Sequence, residues 1–235
     1  MGLPEALAEQ LVAAHRILAA AGQGDLVWGH ISVRDPDGRG VWMKPSGIGM
    51  EEVEQEDLLL VSPDGEVEEG EGRRHSEYPI HTEILAACPD VGCVVHTHPP
   101  EATAFAALDE PLRPVSHEAS YFVPPGVPRF TETTDLIRSR SQGRGVAEAL
   151  GGAAALFLRN HGVVVVGADP VDATVAAILL ERACSLQLRI LATGRPYAST
   201  PDEEAERKRG NIYTRPQLES AWEYLRRSTA GAARV

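Results

Sequence analysis

Cysteine is scarce in this sequence, and its pattern argues against two kinds of structure. The 235 residues contain three cysteines, Cys88, Cys93 and Cys184, and no two of them form a CxxC motif. An odd number without close pairs fits neither a disulfide framework nor a zinc site built from thiolates. We therefore expect a reducing, cytoplasmic setting.

Positive charge and long apolar segments are also in short supply. The chain has 34 acidic against 22 basic residues, a formal net charge of −12, which would repel the phosphate backbone of nucleic acids. The N-terminal segment carries Glu5 and Glu9 where a signal peptide would carry basic residues. No apolar run approaches the roughly 20 residues that span a bilayer. We expect neither a nucleic-acid partner nor a membrane segment.

What the sequence does contain is the composition of a globular protein, with 43% hydrophobic and 24% charged residues. Its length suits one large α/β domain. Apolar periodicity and turn residues predict a first helix over residues 4–21, ended by Gly22, and a long helix over 171–193. The other predicted elements are a hairpin of WGHISVRD and GVWMKPS, a strand pair in LLLVSPDGEVEE, a helix in IHTEILAAC, a strand GCVVHTH, a helix over 101–107, a helix capped by Thr134, and strands ALFLRN and GVVVVG.

The first candidate for a functional motif is the tripeptide His-Thr-His, residues 96–98, in the segment VVHTHPP. Because side chains alternate along a strand, His96 and His98 project from one side and can clamp a metal ion together. Pro99 and Pro100 end the strand directly after His98, so the two histidines lie at its C-terminal end. Alone, the motif also fits two ordinary polar residues at a strand end.

Two further residues strengthen the hypothesis of a metal site. His161 lies between two strongly apolar strands, where we expect Gly162 to supply an unusual backbone angle. The alternative is a tight hairpin with a solvent-facing histidine. Glu77 directly precedes a predicted helix. The alternative is that it has no role in the site, because the helix dipole favours a carboxylate at this position.

Four strings in order, KPSG, SEYPIHTEI, VVHTHPP and RNHGVVVVG, resemble the class II aldolase/adducin family from about Pro4 to Thr193. The resemblance implies an α/β fold, an α/β/α sandwich whose central, mostly antiparallel sheet has helices on both faces. We assign residues 1–197 to this domain and residues 198–235 to a C-terminal helical arm, mobile or docked at a subunit interface. The family also implies a homotetramer with active sites near subunit interfaces.

The resemblance implies a divalent ion bound by His96, His98 and His161, with Glu77 as both metal ligand and acid/base. Three neutral imidazoles leave coordination positions open for substrate oxygens, as catalytic sites require. One ion per subunit is expected, and zinc, manganese, cobalt or ferrous iron suits these ligands.

The chain departs from the sugar-phosphate aldolases where those enzymes bind phosphate. The corresponding positions, which we predict to bind substrate, include two imidazoles and nearby cationic side chains that favour an anionic small molecule. These residues are His30, Ser46, Gly47, Arg74, His75 and Ser76. Arg73 and Lys44 add positive charge nearby. The alternative for Arg73 and Arg74 is that they are solvated charges in a loop.

A second departure concerns the tyrosine that the aldolases contribute across a subunit boundary. The matching region here is RPVSHEASYF, so His117 and Tyr121 are both candidate catalytic residues. An imidazole at this position can donate or accept a proton near neutral pH.

The pattern as a whole resembles the branch of the family that decarboxylates hydroxyaromatic dicarboxylates. We therefore predict a metal-dependent lyase that decarboxylates a hydroxyaromatic dicarboxylate or a similar hydroxy-carboxylate. The alternatives are an aldolase acting on a small ketose or ketose phosphate, a non-catalytic adducin-like interaction protein, and an iron- and oxygen-dependent relative. His15 and His81 fall within predicted helices and are interpreted as structural.

Overall fold

The fold is built around one mixed sheet, seen here in a computed structural model that describes residues 2–232, with side chains to residue 229. Its eight strands within that range run in the order β4-β3-β2-β1-β5-β8-β7-β6. Only β6 and β7 pair in parallel; every other neighbouring pair is antiparallel. The strands are β1 (His30–Arg34), β2 (Val41–Met43), β3 (Leu59–Val61), β4 (Val67–Glu69), β5 (Cys93–Thr97), β6 (Arg129–Phe130), β7 (Ala155–Leu158) and β8 (Gly162–Gly167).

Helices cover both faces of this sheet. Those in the described range are α1 (Glu5–Leu18), α2 (Tyr78–Ala87), α3 (Pro100–Ala106), α4 (Arg140–Leu150), α5 (Pro170–Ala192), α6 (Asp202–Ile212) and α7 (Arg215–Ala232). Val95 of β5 packs into a core with α1, α3 and α5, whereas the adjacent Val94 packs into a second core with α2 and α4. Successive strand residues face opposite sides, so the sheet carries two separate cores and the predicted α/β sandwich is confirmed.

The register of the central strands aligns polar residues on the α2 face. His30 of β1 lies directly opposite His96 of β5, and His96 lies opposite Val164 of β8. Residues opposite each other in an antiparallel pair point to the same face. The sheet itself therefore brings His30 beside His96, although 66 positions separate them in the sequence.

The fourth helix begins later than predicted. Thr134 does not cap it; the helix starts at Arg140, and Ser139 is the N-cap residue. The Ser139 hydroxyl accepts a hydrogen bond from the Gln142 backbone nitrogen at 3.2 Å, while Gln142 Oε1 accepts from the Ser139 nitrogen at 3.0 Å. This reciprocal capping box satisfies two backbone amides at once, whereas a cap by Thr134 alone would satisfy one. The helix therefore starts after Ser139.

The two C-terminal helices pack on the body of the same chain. Ala205 of α6 is buried, as are Leu218 and Trp222 of α7, and the latter two join the core formed by α1 and α5. Arg215 ties the start of α7 to Asp169 and Asp172 at the start of α5. A domain boundary at residue 197 remains a prediction. None of the helices in residues 2–232 is long and apolar enough to cross a membrane.

Candidate metal centre and active site

Two of the predicted ligands lie at the end of β5. His96 is fully buried within the strand, and His98 follows its last residue. Between them, the Thr97 hydroxyl points to the other side and donates to Gln23 Oε1 at 2.9 Å. The strand alternation thus directs both imidazoles to the same side, in agreement with the expectation from sequence.

His161 reaches the same point from the turn between β7 and β8. The residue with a left-handed backbone is Asn160, with φ 54°, so the expectation that Gly162 supplies this angle is wrong. Gly162 is needed for space instead: a Cβ atom there would lie 2.4 Å from Cδ2 of His98 and 2.6 Å from the carbonyl oxygen of Thr97. Only glycine lets the turn approach His98 this closely.

The three imidazoles converge on one small volume. The Nε2 atoms of His96 and His98 are 3.1 Å apart. The ring centroids of His161 lie 5.0 Å from His96 and 5.2 Å from His98. One ligand nitrogen from each of the three residues lies within 4.8 Å of the other two.

Hydrogen bonds on the far side of two rings set which nitrogen faces this volume. Nδ1 of His96 lies 2.9 Å from the carbonyl oxygen of Val163, and Nδ1 of His98 lies 2.7 Å from Oδ2 of Asp25. Both partners accept hydrogen bonds, so Nδ1 carries the hydrogen and Nε2 presents its lone pair to the centre. Such partners fix ring orientation in histidine metal sites.

Asp25 is placed by a short irregular segment after α1. The chain continues as a π-helical turn over Ala19–Gln23, and Asp25 and Leu26 then adopt left-handed backbone angles, φ 44° and 54°. Gln23 is buried and anchors the segment, since its amide donates to the carbonyl oxygen of Ala177 on α5. Nothing in the sequence pattern pointed to Asp25.

Glu77 completes the centre from the N-cap position of α2. Its Oε2 lies 3.6 Å from Nε2 of His96, and its Oε1 lies 3.6 Å from Nε2 of His161. The backbone nitrogen of Ile137 donates to Oε1 at 2.8 Å and fixes the carboxylate. Burial by itself raises the pKa of Glu77, but interaction with His161 and His96 outweighs burial and holds the pKa well below its ordinary value.

These residues fit a divalent cation. Nε2 of His161 is buried and has no hydrogen-bond partner among the described residues, and the lone pairs of His96 and His98 face each other at 3.1 Å. Opposed lone pairs repel unless a cation or proton lies between them. Three imidazole nitrogens with a carboxylate beside them form the donor set of open, catalytic metal sites.

A second group of buried imidazoles adjoins the metal centre. The His30 ring lies 4.4 Å from the His75 ring, 4.8 Å from His81 and 5.0 Å from His96, measured between centroids. Burial lowers the pKa of His30 well below its ordinary value, and lowers the pKa of His75 to about 3. Both rings are therefore neutral near pH 7 and offer N–H groups without adding charge.

Lys44, the residue directly after β2, lies beside this group of imidazoles and has no exposed surface. Its ammonium donates to the carbonyl oxygens of Val27 and Ile48 at 3.0 and 2.8 Å, and lies 3.1 Å from Nε2 of His75. Burial lowers the pKa of Lys44 to about 8. Lys44, which was expected to add positive charge near the substrate, is thus enclosed in the protein and contacts His75.

The metal centre opens into a cavity of about 1310 Å³. The wall includes Glu77, His98 and His161. All six residues predicted to bind substrate line the same cavity: His30, Ser46, Gly47, Arg74, His75 and Ser76. The tertiary structure therefore brings the predicted substrate residues and metal ligands to one place.

The two neighbouring arginines differ in how free they are. Arg74 lies with its guanidinium 4.1 Å from the centre of the Tyr78 ring and donates to the carbonyl oxygen of Gly65. Arg73 is exposed, and within residues 2–232 its guanidinium has one hydrogen-bond partner, the Ser46 hydroxyl, at 3.4 Å. Of the two, Arg73 is the guanidinium more available to an anion at the mouth of the cavity.

His117 and Tyr121 do not line this cavity in their own chain. His117 is exposed. Tyr121 packs against Tyr213, at a centroid distance of 5.2 Å, and burial raises the pKa of Tyr121 to about 12. A role for either residue in catalysis remains a prediction that requires a neighbouring subunit.

His81 was interpreted as structural, yet it lies between the cavity histidines and the core. It follows Glu77 by four residues, so both lie on the same face of α2, and this spacing was a usable signal. Its two ring nitrogens contact His30 and Ser32, both at 2.7 Å.

With this geometry in place, comparison with known proteins assigns the family. Residues 9–188 match the class II aldolase and adducin N-terminal domain, and the chain belongs to this family. The predicted membership is confirmed over most of the chain.

Individual relatives include enzymes of two kinds. The chain is 29% identical to the 3,4-dihydroxyphthalate decarboxylase of Arthrobacter keyseri, over 83% of each chain. It is 34% identical to decarboxylase NovR of Streptomyces niveus, over 72% of this chain and 63% of that protein. The L-fuculose 1-phosphate aldolase of Glaciozyma antarctica has a similar structure, with a TM-score of 0.83, 28% identity and coverage of 96% and 89%. These relatives are lyases, in agreement with the predicted enzyme class.

Proposed function

We propose that the protein is a divalent-metal-dependent carbon–carbon lyase that decarboxylates a hydroxyaromatic dicarboxylate or a similar hydroxy-carboxylate. The observation that carries this proposal is the convergence of His96, His98 and His161 beside Glu77, in a cavity that also presents neutral imidazoles. Similarity to two decarboxylases supports it.

The three histidines would hold one ion, with zinc, manganese, cobalt and ferrous iron as candidates. A bound divalent ion would polarise substrate oxygens and stabilise the negative charge left when a carbon–carbon bond breaks.

Glu77 manages the proton. In its ionised form it accepts the proton of the substrate hydroxyl. When the carboxylate departs as carbon dioxide, the bonding electron pair stays on the ring carbon, and Glu77 returns the proton to that carbon. The carboxylate ends ionised as it began, and solvent reprotonates the product oxygen after release.

The remaining cavity residues bind and orient the anionic substrate. His30 and His75 offer neutral N–H donors, and the exposed Arg73 supplies positive charge at the mouth. Hydrogen bonds from neutral and charged donors to a second carboxylate would select dicarboxylates over monocarboxylates.

The test is metal analysis coupled to a screen for carbon dioxide release from hydroxyaromatic carboxylates, with ketose phosphates as the opposing panel. Glu77→Gln should lower kcat by about 10²–10⁴-fold. Glu83→Gln is a matched control, because Glu83 lies on the same helix and binds Arg140. Full carbon dioxide release by demetallated protein, or normal turnover by Glu77→Gln, would exclude this mechanism.

An aldolase is the second candidate. Ser46, Gly47 and Ser76 line the cavity, at positions where the resemblance places phosphate ligands, and the chain is similar to an L-fuculose 1-phosphate aldolase. Retro-aldol cleavage of a ketose phosphate without carbon dioxide release would favour it. Purified protein without stoichiometric divalent metal would instead favour a non-catalytic interaction protein.

We also propose a homotetramer in which His117 or Tyr121 of a neighbouring subunit closes the cavity. The support is that both residues lie outside the cavity of their own chain. Light scattering gives the subunit number. Mixing inactive His117→Ala with inactive His96→Ala protein should restore part of the activity. In mixed oligomers some sites take His96 from one subunit and His117 from the other, and are therefore complete. No recovery of activity would contradict sites shared between subunits.

A further inference from the structure

A hydrogen-bonded chain of three buried side chains runs from the core to the cavity. The Ser32 hydroxyl lies 2.7 Å from Nδ1 of His81, and Nε2 of His81 lies 2.7 Å from Nδ1 of His30. Both distances are typical of strong hydrogen bonds. The second nitrogen of His30, Nε2, is the one left for the cavity that His30 lines.

This chain is shielded from solvent. Ser32 and His81 have no exposed surface, and His30 is 1% exposed. The side chains come from β1 and α2, and the hydrogen bonds of His81 to Ser32 and His30 join the two elements. Water therefore does not set the hydrogen positions, and the protein itself has to determine them.

The chain has only two self-consistent arrangements, because a neutral imidazole donates from one nitrogen and accepts at the other. In the first, Ser32 donates to His81, His81 donates to His30, and the hydrogen of His30 lies on Nε2. In the second, every bond is reversed, and Nε2 of His30 faces the cavity as an acceptor.

The environment of Ser32 decides between them. Within residues 2–232, the Ser32 side chain has no hydrogen-bond partner other than His81. In the reversed arrangement the hydroxyl oxygen would accept from His81, and the hydroxyl hydrogen would be buried without an acceptor. Leaving a buried donor unpaired is costly, so the first arrangement is favoured.

We propose that Ser32 and His81 are positioning residues that keep His30 in the tautomer with its hydrogen on Nε2, so that His30 donates a hydrogen bond to a carboxylate of the substrate. A ring nitrogen of His30 lies within 4.8 Å of both a His96 nitrogen and a Glu77 oxygen, which places the His30 ring beside the reacting group. The role in binding a carboxylate rests on the proposed function; the tautomer does not.

The direct test is nitrogen NMR of the full-length, zinc-loaded protein labelled with ¹⁵N-histidine. We expect the hydrogen on Nε2 of both His30 and His81, with Nδ1 of each unprotonated. Signals are assigned by their loss in His30→Asn and His81→Gln proteins. A hydrogen on Nδ1 of His30 in the wild-type protein overturns the proposal, and this measurement needs no variant of Ser32 to fold.

The second test measures binding of phthalate, an unreactive aromatic dicarboxylate, by calorimetry to the zinc-loaded protein. Ser32→Ala removes the donor that fixes the chain and should weaken phthalate binding by about tenfold without changing zinc content. Ser32→Thr keeps the hydroxyl and should bind nearly as well as the wild-type protein. Ser62→Ala, a buried serine directly after β3, is the matched control.

Equal loss of affinity in Ser32→Ala and Ser32→Thr would assign the effect to packing and overturn the positioning role. Unchanged affinity and unchanged His30 signals in Ser32→Ala would overturn it as well. If the Nε2 tautomer is found and phthalate binds but no carboxylate releases carbon dioxide, the proposed function fails while the inference stands.

Discussion

Nδ1 of His98 lies 2.7 Å from Oδ2 of Asp25, which links the irregular segment after the first helix to the candidate metal centre. The carboxylate accepts the Nδ1 hydrogen and thereby turns Nε2 towards His96 and His161. A residue outside the ligand set thus determines how one ligand is presented.

Asp25→Asn should weaken metal binding by about 10–100-fold, because the amide oxygen is a poorer acceptor and the negative charge is lost. Competition with a chromogenic chelator measures this affinity without any substrate. Asp90→Asn, at an exposed loop position, is the control. Equal affinities in all three proteins would show that Asp25 does not orient His98.

Gly162→Ala should disturb the same ligand by steric pressure. The added Cβ would lie 2.4 Å from the His98 ring, so the ring or the turn has to move. We expect a loss of about 1–3 kcal/mol in the free energy of unfolding, together with weaker metal binding. Gly152→Ala is the matched control, since no atom lies within 4 Å of a Cβ there. Urea unfolding measures the stability and chelator competition the metal affinity. If Gly162→Ala matches the wild type in both, the added Cβ does not crowd the His98 ring.

Lys44→Met should change how stability depends on pH. The folded pKa of Lys44 is about 8, below the usual lysine pKa of 10.5, so between these values the unfolded chain holds a proton that the folded chain has released. We therefore consider the difference in the free energy of unfolding, wild type minus Lys44→Met. This difference should increase by about 3 kcal/mol as the pH rises from about 8 to 10.5.

Urea unfolding at several pH values measures this difference, and other titrating groups cancel between the two proteins. Lys208→Met, the only other lysine of the chain, is the natural control. A difference that stays constant across the window would show that burial does not lower the Lys44 pKa.

The two arginines at the cavity should separate into binding and structural roles. Arg73→Ala should raise KM for an anionic substrate by about tenfold, because a charge-assisted hydrogen bond is lost. Arg74→Ala should mainly lower the melting temperature, since Arg74 is held by Tyr78 and Gly65. Steady-state kinetics and thermal unfolding of both variants test this; the reverse assignment would follow if only Arg74→Ala raised KM.

Much of the fold was accessible from sequence because its signals are local. The hairpin around residues 35–38, the strand ending in His96 and the helix after Asp169 were predicted from turn residues and apolar periodicity, and all three are present. The start of α4 was misplaced because two capping residues competed within a short segment, and the one with a reciprocal partner, Gln142, prevailed.

The family, the α/β architecture and the residues that meet at the centre could be predicted from sequence, because ordered motifs and strand alternation are properties of short segments. Three contacts became visible only in the folded chain: Asp25 with His98, the buried Lys44 with His75, and His81 with both Ser32 and His30. These hydrogen bonds join residues between 31 and 73 positions apart. Their partners are fixed by sheet register and by how helices pack on it, which no local pattern records.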